Sequence, residues 1–116
     1  MIQEQHWLTG TAVLITDEPN QGSVHLDIPE DNSYIQADAY IFRLWVSKDY
    51  RRHGTAKALM ETAEDEARRR GCKTVSLGWD KREAQQWTYD WYVRMGYHEV
   101  EFGKNSALLR KELADR

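Results

Sequence analysis

Apolar and polar positions alternate along the first third of the chain as they do in strands. Thr11 to Thr16 (TAVLIT) is rich in β-branched residues and ends in DEPNQG, a cluster of turn formers. Val24 to Ile28 (VHLDI) alternates apolar and polar residues until PEDNS breaks it. Ala37 to Val46 (ADAYIFRLWV) is nearly continuous in apolar and aromatic residues, which predicts a central strand covered on both faces.

Helical spacing begins after a short junction. Ala56, Leu59, Met60, Ala63 and Ala67 fall on one face of a predicted helix, Glu61, Glu64, Asp65, Glu66 and Arg68 to Arg70 fill the outer face, and Gly71 caps the end. Lys73 to Leu77 (KTVSL) reads as a short strand. Glu83 to Met95 reads as a second helix, with Ala84, Trp87, Trp91 and Met95 inward and Gly96 as its stop. Tyr97 to Phe102 and Ala107 to Leu113, separated by GKNS, form a terminal pair of strands. Strands, strand, helix, strand, helix and two strands make an α/β layered fold.

The 116 residues suit a single domain over 1–116, and 41% hydrophobic with 30% charged residues is the balance of a globular chain. A net charge of −3 offers no global attraction to a polyanion, so neither nucleic acid nor an acidic membrane is expected as a partner. Cys72, the one cysteine, cannot form an internal disulfide, and MIQEQHWLTG lacks a basic-then-apolar leader, so a cytoplasmic location is expected. No apolar run approaches the roughly 20 residues of a spanning helix. The four histidines show no metal-ligand spacing, and no metal is expected.

The junction VSKDYRRHGTAKALM carries the densest chemistry. A helix start presents unpaired N–H groups and the positive end of the helix dipole. Gly54 lets the backbone approach a ligand, Arg51 and Arg52 add charge, and the small Thr55 and Ala56 keep the first turn clear. That arrangement suits a pyrophosphate, whereas the ordinary alternative is a solvated loop with a glycine easing the turn. The lysine-hydroxyl pair of a P-loop and the three glycines of a dinucleotide fold are both missing.

Val46, Arg51, Gly54 and Ala56 reproduce the pattern V-x-x-x-x-[Q/R]-x-x-G-x-[G/A], and Trp91-Tyr92-Val93-Arg94-Met95-Gly96-Tyr97 matches an aromatic-Tyr-x-x-x-Gly-aromatic segment followed by a strand pair ending in ALLRKEL. In both motifs, at the right separation, the chain resembles the GNAT superfamily of acyl-CoA-dependent N-acyltransferases over about residues 37 to 113. The resemblance implies a mixed central sheet flanked by helices, here with a shortened N-terminal region. It also implies acetyl-CoA as cosubstrate, with the loop Arg51, Arg52, His53, Gly54, Thr55 and Ala56 on the pyrophosphate. The strand edge from Leu44 to Val46 would lie along the pantetheine arm. Gln85 stands where the family usually has an asparagine that contacts the cofactor, and Thr88 where it often has alanine.

Transfer of an acetyl group from a thioester to a primary amine within a ternary complex needs a free amine, a polarised carbonyl and a proton for the departing thiolate. Tyr92 matches the family's proton donor. A phenol of pKa about 10 is close enough to a thiol near 8.5 for efficient transfer; a packed helix aromatic is the plainer reading of the same residue. A backbone N–H near Val46 would serve the carbonyl oxygen. No base is evident: Asp38 reads as a strand-end carboxylate, His53 and His98 as ordinary solvated or packed histidines, and Cys72 as structural.

Only about 35 residues precede the central strand, so the acceptor site is expected either to be open, for a small-molecule or protein amine, or to be completed by a second subunit in a homodimer. Trp7, Trp45 and Trp79 are candidates for such an interface. Two other readings remain: a non-catalytic CoA-binding or protein-interaction module of the same fold, and a general anion-binding α/β domain, which leaves the tyrosine motif unexplained.

Overall fold

A computed structural model describes residues 2–7, 9–17, 21–51 and 54–114. Arg52 and His53 lie outside the described residues. Seven strands form one sheet in the order β1-β2-β3-β4-β5-β7-β6. The strands are β1 (Ile2–Trp7), β2 (Gly10–Asp17), β3 (Gly22–Pro29), β4 (Ala39–Val46), β5 (Thr74–Asp80), β6 (His98–Phe102) and β7 (Ser106–Glu112). Two helices, α1 (Thr55–Arg69) and α2 (Gln86–Arg94), flank it. Among the described residues, only β4 and β5 are parallel neighbours. A parallel pair requires a crossover, and α1 is that crossover. The mixed α/β sheet is therefore the one expected, with β4 at its centre.

α1 packs on β2, β3 and β4. Leu59, Met60, Ala63 and Ala67 enter one core with Val13, Ile15, Val24, Leu26, Ala39, Ile41, Val75, Leu77 and Leu109, while Tyr89, Trp91, Tyr92 and Met95 on or beside α2 pack against that core. Gly22 is needed at the start of β3 because a Cβ there would stand 2.6 Å from the Trp45 carbonyl oxygen and 2.9 Å from Leu59 Cδ1.

Both helices end with the same device. Gly71 takes a φ of +86°, its N–H donates to the Arg68 carbonyl, and the Cys72 N–H reaches back to Ala67. At α2, Gly96 takes a φ of +103°, its N–H donates to Val93, and the Tyr97 N–H donates to Tyr92. These paired bonds are Schellman motifs, and the apolar contact that accompanies them is here the Tyr92–Tyr97 ring pair, 5.9 Å between centroids.

Several expectations are corrected. β1 follows from no strong alternation: its residues are all exposed, and it exists because β2 offers it a paired edge. β4 is not covered on both faces throughout, since Arg43 and Trp45 are exposed. Arg43 and Leu44 together oppose Val24, a bulge with Arg43 at φ +51°, and the extra residue turns Leu44 and Val46 toward the core. β5 runs on through Gly78, Trp79 and Asp80 beyond the predicted KTVSL. α2 starts at Gln86 rather than Glu83, and Trp87 is 67% exposed instead of inward.

The acidic face of α1 is also not all outer. Glu64 is 2% exposed and accepts hydrogen bonds from the Tyr97 hydroxyl (2.8 Å) and the Lys111 ammonium (2.8 Å). Glu66, 5% exposed, is paired with Arg69 and Arg70. A buried carboxylate is retained only where partners replace water. Burial and the Glu64 carboxylate push the Tyr97 phenol far above its usual range.

Tyr97→Phe therefore leaves Glu64 short of one partner and should cost about 1–3 kcal/mol in chemical denaturation. Because the folded-state pKa is raised, the protonated phenol's contribution is fully present below about pH 10 and fades as pH rises above it. The gap between wild type and variant should accordingly be constant from pH 7 to 9.

Candidate active site

β4 and β5 pair only at Ala39↔Val75 and Tyr40↔Ser76. Beyond Tyr40 the two strands part, and the β4 edge from Ile41 to Val46 loses its neighbour on the β5 side while keeping β3 on the other. Two depressions meet at this fork. A groove of about 820 Å³ is lined by Leu44, Trp45 and Val46, by Arg51, Gly54, Thr55, Ala56 and Lys57, and by Trp87, Trp91, Thr88 and Tyr92. A cleft of about 570 Å³ is lined by Tyr40, Gly78, Trp79, Asp80, Glu83, Thr88, Tyr92, Glu101 and Phe102 among others. Tyr92 and Thr88 line both.

At the head of the groove, Gly54 holds a φ of +80° as the residue before α1, and a Cβ there would meet nothing within 4 Å. The glycine is thus required by backbone conformation, and the space beside it is open. The helix opens with the bond from Ala58 N–H to the Gly54 carbonyl, 3.0 Å. Thr55, Ala56 and Lys57 precede it and have no side-chain cap. Their amides are the orphan donors of a helix start. Arg51 does not project freely: its Nε donates to the Val46 carbonyl at 3.2 Å, tying the end of β4 to the loop.

Tyr92 is half-buried, and its phenol pKa is raised, first by burial and then by the neighbouring Tyr40. Its position is set by the Schellman turn and by Tyr97, which is anchored to α1 through Glu64. Trp79 braces the start of α2, donating from Nε1 to the Gln85 carbonyl at 3.2 Å and meeting Tyr89 edge to face at 5.3 Å.

Of the residues singled out in the sequence, Leu44, Val46, Arg51, Gly54, Thr55, Ala56 and Tyr92 are brought together around the groove. Gln85 is exposed at the α2 N-terminus and lies outside the lining of both depressions. Asp38 is a clamp, its Oδ2 accepting the Lys73 N–H at 2.8 Å while its own N–H donates to Thr74 Oγ1 at 2.9 Å. Cys72 is buried, and its thiol pKa is raised by burial and by Asp38. Trp7 sits on β1, Trp45 in the groove and Trp79 in the cleft, so the three do not share one surface.

Tyr40, Gly78 and Asp80 were not recognisable as site residues in the sequence. The available signal was Gly78 inside a strand-like run, which marks close approach of another group. Arg82 grips the Asp80 carboxylate through both its guanidinium and its backbone N–H and lowers the pKa to about 2. Among the described residues no group of three or more His, Cys, Asp or Glu is arranged to hold a metal ion, and no helix is long and apolar enough to cross a membrane.

The profile of the acetyltransferase (GNAT) family matches residues 22–97. No curated protein matches the chain. Among solved structures, the ribosomal-protein-S18-alanine N-acetyltransferase of Escherichia coli is similar at TM-score 0.69 and 17% identity, covering 96% of this chain and 74% of that one. An acetyltransferase from Bacillus cereus aligns at TM-score 0.66 and 19% identity, over 97% and 74%. The PaiA N-acetyltransferase of Thermoplasma acidophilum, solved in complex with coenzyme A, aligns at 0.67 and 17%, over 89% and 58%. At such identities the likeness to each is one of fold.

Gly54→Ala should lower stability by about 1–2 kcal/mol through its left-handed φ alone, since no atom obstructs the added methyl. Gly54→Asn, which tolerates that conformation better, should lose less. Thermal denaturation of the two variants tests the order.

Proposed function

Since the chain belongs to the acetyltransferase (GNAT) family, we propose that it transfers an acetyl group from acetyl-CoA to a primary amine by direct transfer in a ternary complex. The observation that carries this reading is the fork between β4 and β5, entered from the groove on one side and the cleft on the other, with Tyr92 lining both. Bound acetyl-CoA supplies an acyl carbon activated as a thioester and a sulfur leaving group.

The residues present fit that cosubstrate. Orphan amides of Thr55, Ala56 and Lys57, reinforced by the helix dipole, suit a diphosphate, and the open space beside Gly54 admits it. The β4 edge from Leu44 to Val46 offers main-chain groups to an extended amide-bearing arm, and the indoles of Trp45, Trp87 and Trp91 give the groove apolar walls. Unpaired N–H groups on the same edge are available to a carbonyl oxygen. Tyr92 holds a proton at the junction of the two depressions, and its raised pKa keeps that proton in place at neutral and mildly alkaline pH.

The acceptor side is the cleft. Asp80, paired with Arg82, stands there with Glu83 and Glu101 among Tyr40, Trp79 and Phe102, surroundings that draw in an acceptor carrying positive charge, which must shed a proton before its nitrogen attacks the thioester. The small-molecule and the protein amine both satisfy this chemistry.

Thermal shift separates the readings of the groove: acetyl-CoA and CoA at a hundred times their dissociation constants should each stabilise by about 2.7 kcal/mol, and inorganic pyrophosphate by less. Equal stabilisation by pyrophosphate would reduce the groove to a general anion site. Thiol release across an amine panel should then fall about 10²-fold or more in Tyr92→Phe with CoA affinity retained; an inactive wild type that still binds CoA would leave the binding-module reading standing. For the active enzyme, the ratio of wild-type to Tyr92→Phe rates should stay constant up to about pH 10, because a raised phenol pKa moves loss of the donor above that value.

A further inference from the structure

Tyr40 sits where β4 and β5 part. It forms the last β4–β5 pair, with Ser76, and Gly78 is two residues further along β5. In a continued ladder the Gly78 N–H would bond to β4. Instead the Tyr40 side chain reaches over the gap and sets its hydroxyl against Gly78. The fit is close, for a Cβ on Gly78 would stand 2.7 Å from Tyr40 Oη. The ring is held from its other side by Phe42, stacked at 5.7 Å and 26°. A tyrosine hydroxyl can both donate and accept a hydrogen bond.

Tyr40, Gly78 and Tyr92 line the same cleft, and Tyr40 is near enough to Tyr92 to act on it electrostatically. We propose that Tyr40 orients the acceptor nitrogen: its hydroxyl, seated against Gly78 where the strands part, accepts a hydrogen bond from an amine N–H beside Tyr92. The proposal rests on the acetyl-transfer reading for its consequence, but the Gly78–Tyr40 contact can be read without turnover. It also gives glycine at 78 a reason, since any side chain there would displace the hydroxyl.

The test compares wild type, Tyr40→Phe and Gly78→Ala with spermidine and a lysine-containing peptide as probe amines. The readouts are steady-state transfer, acetyl-CoA affinity by calorimetry, and the Gly78 amide by ¹⁵N-resolved NMR. Both variants should lose at least about tenfold in kcat/KM for the amine, with acetyl-CoA affinity within about twofold of wild type. The Gly78 amide resonance should shift in Tyr40→Phe, because the hydroxyl packed against it is removed. Wild-type kcat/KM in Tyr40→Phe, or parallel loss of amine and acetyl-CoA affinity, would overturn the proposal while leaving the transfer reading intact. If wild type transfers to neither amine, the amines are titrated into the CoA complex. A Gly78 shift in wild type that is absent from Tyr40→Phe then upholds the Tyr40 assignment although transfer fails. No shift in wild type sinks both.

Discussion

The site depends on a parallel ladder that stops after two pairs. A pair of parallel strands that stayed together along their length would close the sheet over the place where groove and cleft now meet. Two features hold them apart. The bulge at Arg43 and Leu44 adds a residue to β4 at a positive φ, bending the strand where it leaves β5. Tyr40 fills the opening on the β5 side, its hydroxyl packed against Gly78.

A second constraint reaches Tyr92 from a distance. The residue belongs to a nine-residue helix with no fully buried side chain, too little to fix a phenol by packing alone. Its place is set at the helix end, where Gly96 reverses the chain, the Tyr97 N–H returns to the Tyr92 carbonyl and the Tyr97 ring packs against that of Tyr92. Tyr97 is in turn bonded to Glu64 on α1, which Lys111 of β7 also holds. The aromatic-Tyr-x-x-x-Gly-aromatic motif is thus a capping device before it is a chemical one. Its second aromatic fixes the end of α2 to the core.

What was legible in the sequence follows periodicity and punctuation. Leu59, Met60, Ala63 and Ala67 repeat at helical spacing and are buried, and Gly71 and Gly96 end their helices as left-handed glycines must. The groove residues from Val46 to Ala56 were legible because a strand-to-helix junction with glycine has few physical uses. The fork was not. Strand separation is a property of two segments together, and neither ADAYIFRLWV nor KTVSL carries a sign of it. Trp87 misled because helical spacing from Ala84 places it inward, whereas α2 begins two residues after Ala84 and turns a different face to the core. Glu64 misled because charge marks an outer face only when no cation and hydroxyl wait inside.

The order of the strands leaves the sheet with two free rims, β1 and β6, and both carry carboxylates: Glu4 on the first, Glu99 and Glu101 on the second. On β6 the register slips between Glu99 and Glu101, interrupting the row of evenly spaced main-chain groups that another strand would need. At β6 the broken register and the two glutamates together oppose the addition of another strand.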